Sequence, residues 1–123
     1  MDNYKEILIN EFNAGDNSFL LDIRCNINFD KNKLLNLLHS AYYYCLNFNE
    51  DKHLDRFFAS GFWYISHFVK DWTSHENFRE KNILDDDYYE KVYEIIYDLS
   101  FWYFMNESPY MDKEELLRQI DDL

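Results

Sequence analysis

An all-α fold, a compact array of about five or six helices in a single domain spanning residues 1–123, is predicted by three observations. Only two Gly and one Pro occur, so turn punctuation is scarce. The β-branched strand formers Val and Thr are confined to Val69, Val92 and Thr73. Apolar side chains recur instead at three- and four-residue spacing, and hydrophobic residues make up 47% of the chain, enough for a core and unlike a disordered tail.

The elements follow in order. Asn3 and Glu6 are placed as a capping box for a first short helix that turns Ile7, Leu8 and Phe12 inward. Asn13-Ala14-Gly15-Asp16-Asn17 is the strongest turn signal, and it leads into Phe19-Leu20-Leu21-Asp22-Ile23. That segment is too short for periodicity to classify and is read as a helical turn. Asp30 caps the next helix, in which Leu34, Leu37, Leu38, Ala41, Tyr42 and Cys45 share one face. Beyond Asn47-Phe48-Asn49, a helix carrying Leu54, Phe57, Phe58, Gly61, Phe62, Ile65, Phe68, Val69 and Trp72 marks the centre of the core, with Gly61 permitting close approach of a neighbour. It ends near Ser74. The run Asp85-Asp86-Asp87 suits a helix N-terminus, where carboxylates cap free amides and oppose the positive end of the dipole, and Tyr88 to Met105 continues as helix. Asn106 to Pro109 break the pattern, and Asp112 with Glu115 forms a second capping box before Leu116, Leu117 and Ile120.

Charge bounds the function. Twenty-four acidic residues face twelve basic ones, a net charge of −12, alongside eleven Tyr, eleven Phe and three Trp. A field of that sign repels nucleic-acid phosphates and anionic membranes and attracts cationic partners. The expectation is therefore a protein that binds a basic protein, not an enzyme, with no direct nucleic-acid or membrane contact. No apolar run approaches the roughly 18–20 residues of a membrane span. Met1-Asp2-Asn3-Tyr4-Lys5-Glu6 has neither a basic start nor an apolar signal region, which points to the cytoplasm. Cys25 and Cys45 lack C-x-x-C spacing and read as buried free thiols.

Asp87, Glu90, Glu94 and Asp98 recur three, four and four residues apart, so four carboxylates line one helical stripe with Lys91 as the only base inside it. Such a stripe is either a solvated outer face or a docking surface for Lys and Arg of a partner, with Tyr88, Tyr93 or Tyr97 beside it as anchors. The candidate partner-binding set is Asp85, Asp86, Asp87, Tyr88, Glu90, Glu94, Tyr97 and Asp98. His67, Asp71 and His75 have metal-ligand spacing but no identifiable closing ligand, and read as helix-edge histidines hydrogen-bonded to an acid. His39 and His53 read as isolated. No metal or cofactor is expected, and no nucleophile triad or Gly-rich phosphate loop is present in the sequence. Tyr42-Tyr43-Tyr44, Phe62-Trp63-Tyr64 and Phe101-Trp102-Tyr103-Phe104-Met105 place aromatics on more than one side of each helix. Tyr43, Trp63 and Tyr103 are the ones expected to reach solvent.

With Phe19-Leu20-Leu21-Asp22-Ile23-Arg24-Cys25 and Gly61-Phe62-Trp63-Tyr64-Ile65-Ser66-His67-Phe68-Val69-Lys70-Asp71-Trp72 set in an acidic, aromatic-rich helical chain, the sequence resembles the immunity proteins of bacterial contact-dependent growth inhibition and related polymorphic toxin systems. The Tyr-Tyr-Pro element of colicin nuclease immunity proteins is missing, since Tyr88-Tyr89 is followed by Glu90. The resemblance implies a small cytoplasmic inhibitor that covers the substrate surface of a basic toxin domain, a ribonuclease or other nuclease. Two other readings accompany it: a nucleic-acid-mimicking inhibitor of a host nucleic-acid-binding enzyme, and a small helical metal-dependent enzyme using His67, Asp71 and His75.

Overall fold

A computed structural model describes residues 2–47 and 53–123, and among these the chain forms seven helices and no strand. They are α1 (Tyr4–Phe12), α2 (Phe19–Asn26), α3 (Lys31–Asn47), α4 (Arg56–Thr73), α5 (Glu76–Lys81), α6 (Asp86–Met105) and α7 (Glu114–Asp121). The fold is all-helical as the sequence predicts, but five or six helices is an undercount. The expected break at Phe48 and Asn49 lies outside the described residues.

The count rises because two short helices are held by partners remote in sequence. At α2, Ser18 Oγ accepts the Leu21 amide, and the buried Glu11 carboxylate of α1 accepts the amides of Phe19 at 2.7 Å and Leu20 at 3.2 Å. Three of the amides left orphaned at a helix start are thereby satisfied. The segment is a full helix, not one turn. At α5, a helix absent from the sequence expectation, Phe78 is buried and Arg79 Nε donates to the Thr73 carbonyl at 2.9 Å.

Capping follows the expectation in part. Asp30 Oδ1 accepts the Lys33 amide at the head of α3. Asp55 Oδ1 accepts the amides of Phe57 and Phe58, so α4 begins after Leu54, which is exposed and lies outside the helix. The Asn3–Glu6 capping box does not form: Asn3 has φ −101° and ψ 22°, away from the extended backbone that aims a side chain at first-turn amides, and only its carbonyl is used. Asp85 stands at the N-cap of α6, but its carboxylate makes no capping bond. Asp112 accepts the Glu114 amide, yet Glu115 does not reach back, because Arg118 draws both carboxylates to itself at 2.7 and 2.8 Å. Asn106, at φ 54°, ends α6 in the left-handed conformation that Asn tolerates.

One core runs through the array, centred on α3, α4 and α6. Phe62 of α4 stacks on Tyr103 of α6 with centroids 4.3 Å apart and planes at 10°, and Tyr44 of α3 flanks both rings. Tyr103 is only 1% exposed, against the expectation that it reaches solvent; Tyr43 is half-buried and Trp63 is exposed. Phe29, in the α2–α3 connection, packs edge-on against Phe19, Phe78, Tyr88 and Tyr89 and closes the other end. Cys45 is buried with its thiol directed at the Leu99 carbonyl, whereas Cys25 is exposed on the outer side of α2, contrary to its reading as a core residue.

Gly61 admits α1 to this core. A Cβ there would collide with the Phe12 ring. Gly61→Ala is expected to lose about 1–3 kcal/mol of stability in urea unfolding, although Ala favours helix by about 1 kcal/mol. In a Phe12→Ala background the same change is expected to become neutral or stabilising, which separates the collision from any general effect.

Glu11 gives a second test. Burial pushes its carboxyl up from 4.5 to about 7, against the downward pull of the Phe19 and Leu20 amides and of Lys33. Below 4.5 the group is protonated whether folded or unfolded, and between 4.5 and about 7 only the unfolded chain releases the proton. Its contribution to stability therefore falls across that window and is constant above it. Relative to Glu11→Gln, the native chain is expected to lose on the order of 1–3 kcal/mol between those limits, read from urea midpoints at several pH values.

Candidate protein-binding surface

Helices α4 and α6 are pinned together by polar links that also fix their direction. Tyr103 OH donates to the Asp55 carbonyl at 3.4 Å, Ser100 Oγ to the Phe62 carbonyl at 3.1 Å, and Tyr93 OH lies 2.6 Å from Thr73 Oγ1. Thr73 Oγ1 donates to the Val69 carbonyl, so Tyr93 is the donor in that last pair, while Arg79 donates to Tyr93 in turn. Residue numbers rise on one helix as they fall on the other: the pair is antiparallel. Its inner side is core, and its outer side is a furrow between two helices.

The half of the furrow near the start of α6 is acidic. A groove of about 450 Å³ is lined by Glu90, Glu94, Asp98, Tyr97, Lys70 and Tyr110, among others. Glu90 and Glu94 are exposed. Asp98 is half-buried and accepts the Tyr110 hydroxyl at 2.9 Å. Burial raises its carboxyl above the ordinary Asp value and the Glu94 charge adds to this, while the Tyr110 bond and Lys91 oppose it. Lys91 itself donates to Gln119 Oε1 at 3.1 Å, turned towards α7.

The other half is apolar. A groove of about 350 Å³ is lined chiefly by Trp63, His67, Tyr97, Phe101, Phe104 and Met105. Trp63 is 56% exposed and Tyr97 67%. The His67 ring stacks on Trp63 at 4.3 Å, and its Nδ1 lies 2.8 Å from the Trp63 carbonyl, so the indole is held upright by its own helix. Ser66 and Tyr97 line both grooves, which makes the two halves one continuous surface.

The sequence-predicted residues divide. Glu90, Glu94, Tyr97 and Asp98 come together here, and Asp87 is exposed one turn before Glu90 on the same stripe. Asp85 is exposed at the helix start, outside the groove. Asp86 is exposed outside the groove and pairs with Arg79 at 2.9 Å, and Arg79 also lies over the Tyr89 ring at 3.8 Å. Tyr88 turns away, towards Phe29, with Lys31 over its ring at 5.2 Å. At about 100° per residue it falls on the core side of α6. Tyr93 is buried.

The histidines also differ from expectation. His67 bonds to a carbonyl, not to an acid, and His75 sits at the head of α5 with its ring edge-on to Trp72. Among the described residues no three His, Cys, Asp or Glu side chains are grouped to hold a metal ion. His39 is not isolated: its Nε2 lies 2.7 Å from Asp121 of α7. Among the described residues no helix is long and apolar enough to cross a membrane. No protein-family model, curated protein or solved structure matches this chain.

Of the apolar half, the sequence picks out Trp63 for exposure and Tyr97 as a partner residue, but not Phe101, Phe104 and Met105 as its continuation. Trp63, His67 and Lys70 are spaced four and three apart on the outer side of α4, and Tyr97, Phe101 and Met105 extend the carboxylate stripe of α6 at four-residue steps. Chemically the surface offers carboxylates for cationic side chains at one end and uncovered rings for apolar ones at the other.

The carboxylate stripe burdens its helix. Like charges four residues apart oppose helix by about 0.2–0.5 kcal/mol per pair. Glu94 faces both Glu90 and Asp98, so Glu94→Gln is expected to raise stability by about 0.4–1 kcal/mol in thermal unfolding at low salt. The gain should shrink at high salt, where the repulsion is already screened.

Proposed function

We propose that this chain is a cytoplasmic immunity-type inhibitor that binds a basic toxin domain, a ribonuclease or other nuclease, and covers its substrate surface. The observation that carries this reading is the continuity of the acidic and aromatic grooves along α4 and α6, with Glu90, Glu94 and Asp98 at one end and Trp63 and Met105 at the other. A nuclease displays positive charge to hold phosphates, and a negative surface of matching extent competes with nucleic acid for it. The carboxylates speed encounter, and the rings slow dissociation once water is excluded. Asp87 extends the field along the stripe, and Asp85 adds to it at the helix start. No chemistry is assigned to the chain.

The test takes the toxin domain encoded beside this chain and measures association by stopped flow across a salt series. A steep fall of the association rate with salt is expected, and Glu90→Lys with Glu94→Lys should slow association at least tenfold at low salt. Trp63→Ala should instead speed dissociation with little change in association. A rate indifferent to salt, or a gene with no toxin frame beside it, would overturn the reading.

A further inference from the structure

The furrow between α4 and α6 has an order along its length that a general acidic face does not require. On α6 the lining carries Glu90, Glu94 and Asp98, with Tyr93 and Tyr97 among them, in its first half and no carboxylate from Phe101 to Met105 in its second. Facing them on antiparallel α4, Lys70 borders the acidic half and Trp63 the apolar half. At 1.5 Å per residue, the stretch from Glu90 to Met105 extends about 22 Å, the length of about four helical turns. A furrow between two antiparallel helices, lined at three- and four-residue steps, presents the ridges on which a third helix seats. Lys70 is the one cation among the residues lining the acidic half, against three carboxylates, an excess of two negative charges.

We infer that the α4–α6 furrow docks one helix of the partner, carrying Arg or Lys in turns at one end and bulky apolar side chains two to three turns away on the same face. The occupant is chosen by charge complementarity along the groove. Basic side chains meet Glu90, Glu94 and Asp98, and Leu- or Trp-sized side chains meet Trp63, Phe104 and Met105. The inference rests on the protein-binding reading above and specifies what is bound. A partner helix with basic and apolar residues alternating along one face would bury cations against Trp63 and Met105, where no carboxylate lines the groove.

The probe is a pair of synthetic 16-residue amphipathic peptides of identical composition. One has Arg confined to the first two turns and Leu to the last two on a single face. The other has the same residues interleaved on that face. Binding is followed by the indole N–H signal of Trp63 in two-dimensional NMR, with the signals of half-exposed Trp72 and buried Trp102 as internal references and Trp63→Phe for assignment. The segregated peptide is expected to bind at least tenfold more tightly than the interleaved one and to shift Trp63 and not Trp72. Glu90→Gln with Glu94→Gln should remove at least fivefold of that preference while leaving the spectrum folded. Equal binding of the two peptides, or shifts centred on Trp72, would overturn the inference. If both peptides fail while the whole toxin still binds in a salt-dependent manner, the helix-docking inference falls and the inhibitory reading stands. If the peptides are discriminated but no toxin is neutralised, the groove stands and the inhibitory reading falls.

Discussion

The stacked pair of Phe62 and Tyr103, 4.3 Å apart and nearly parallel, is the contact on which the outer surface depends. Two rings stacked across a helix pair fix both spacing and register, since sliding by one turn would separate them by about 5 Å. Ser100 and the Phe62 carbonyl hold the same level, and the Tyr103–Asp55 and Tyr93–Thr73 links hold the two ends. Gly61 leaves room for Phe12, whose ring lies 5.5 Å from Phe62, so α1 clamps α4 from behind. Only with α4 and α6 locked in this register do Trp63 and Met105 share a groove and Lys70 border Glu94.

Net charge alone does not say where the field is strong. Several carboxylates are engaged within the chain: Glu11 is buried at the start of α2, while at the surface Asp86 pairs with Arg79, and Asp112 and Glu115 pair with Arg118. Burial raises the Asp22 carboxyl, but hydrogen bonds from Asn26, Asn28 and Lys33 outweigh it and hold the group below its ordinary value. These pairings consume bases as well as acids. Lys91 is the one base inside the stripe, and it turns to Gln119 and away from the groove. Exposed carboxylates such as Glu6, Asp71, Glu76 and Glu107 also lie elsewhere on the surface, but Asp87, Glu90 and Glu94 stand in a row on one helix beside a low-dielectric aromatic wall, which strengthens their field locally.

Helices α3, α4 and α6 were legible in the sequence because each buries a face wide enough to impose a period of 3.6 on the order of 17 to 20 residues. α2 and α5 were not, because eight and six residues are too few for periodicity and their anchors lie elsewhere in the chain. Glu11 satisfies α2 from eight and nine residues away, and Arg79 reaches Asp86 and Tyr93 in a different helix. Ile27 ends α2 at φ 50°, a conformation unusual for a β-branched residue, and is held there as Asn82 donates to its carbonyl. The acidic half of the surface could be read because charge spacing sets a phase. In the aromatic half Trp63 and Tyr97 were named, but the run from Phe101 to Met105 could not be phased, since it contains no charged residue to tell inside from outside. For the same reason Tyr103 was expected in solvent, whereas Tyr88 lies among charged residues that do set the phase and was grouped with the stripe by adjacency in sequence alone.

The balance of energies explains how one helix carries both halves. Repulsion among Glu90, Glu94 and Asp98 costs α6 about 0.2–0.5 kcal/mol per neighbouring pair. On its opposite face Tyr89, Val92, Ile96, Leu99 and Tyr103 are buried, and each such side chain contributes about 1.5–3 kcal/mol by leaving water. Burial wins by a wide margin, so the outer face is free of any duty to stabilise the helix it rides on. That freedom extends to α4, where Ile65 and Val69 hold the inner side while Trp63 leaves its ring uncovered. A surface whose charge and rings both run against folding economy is thus carried by a core that does not need them.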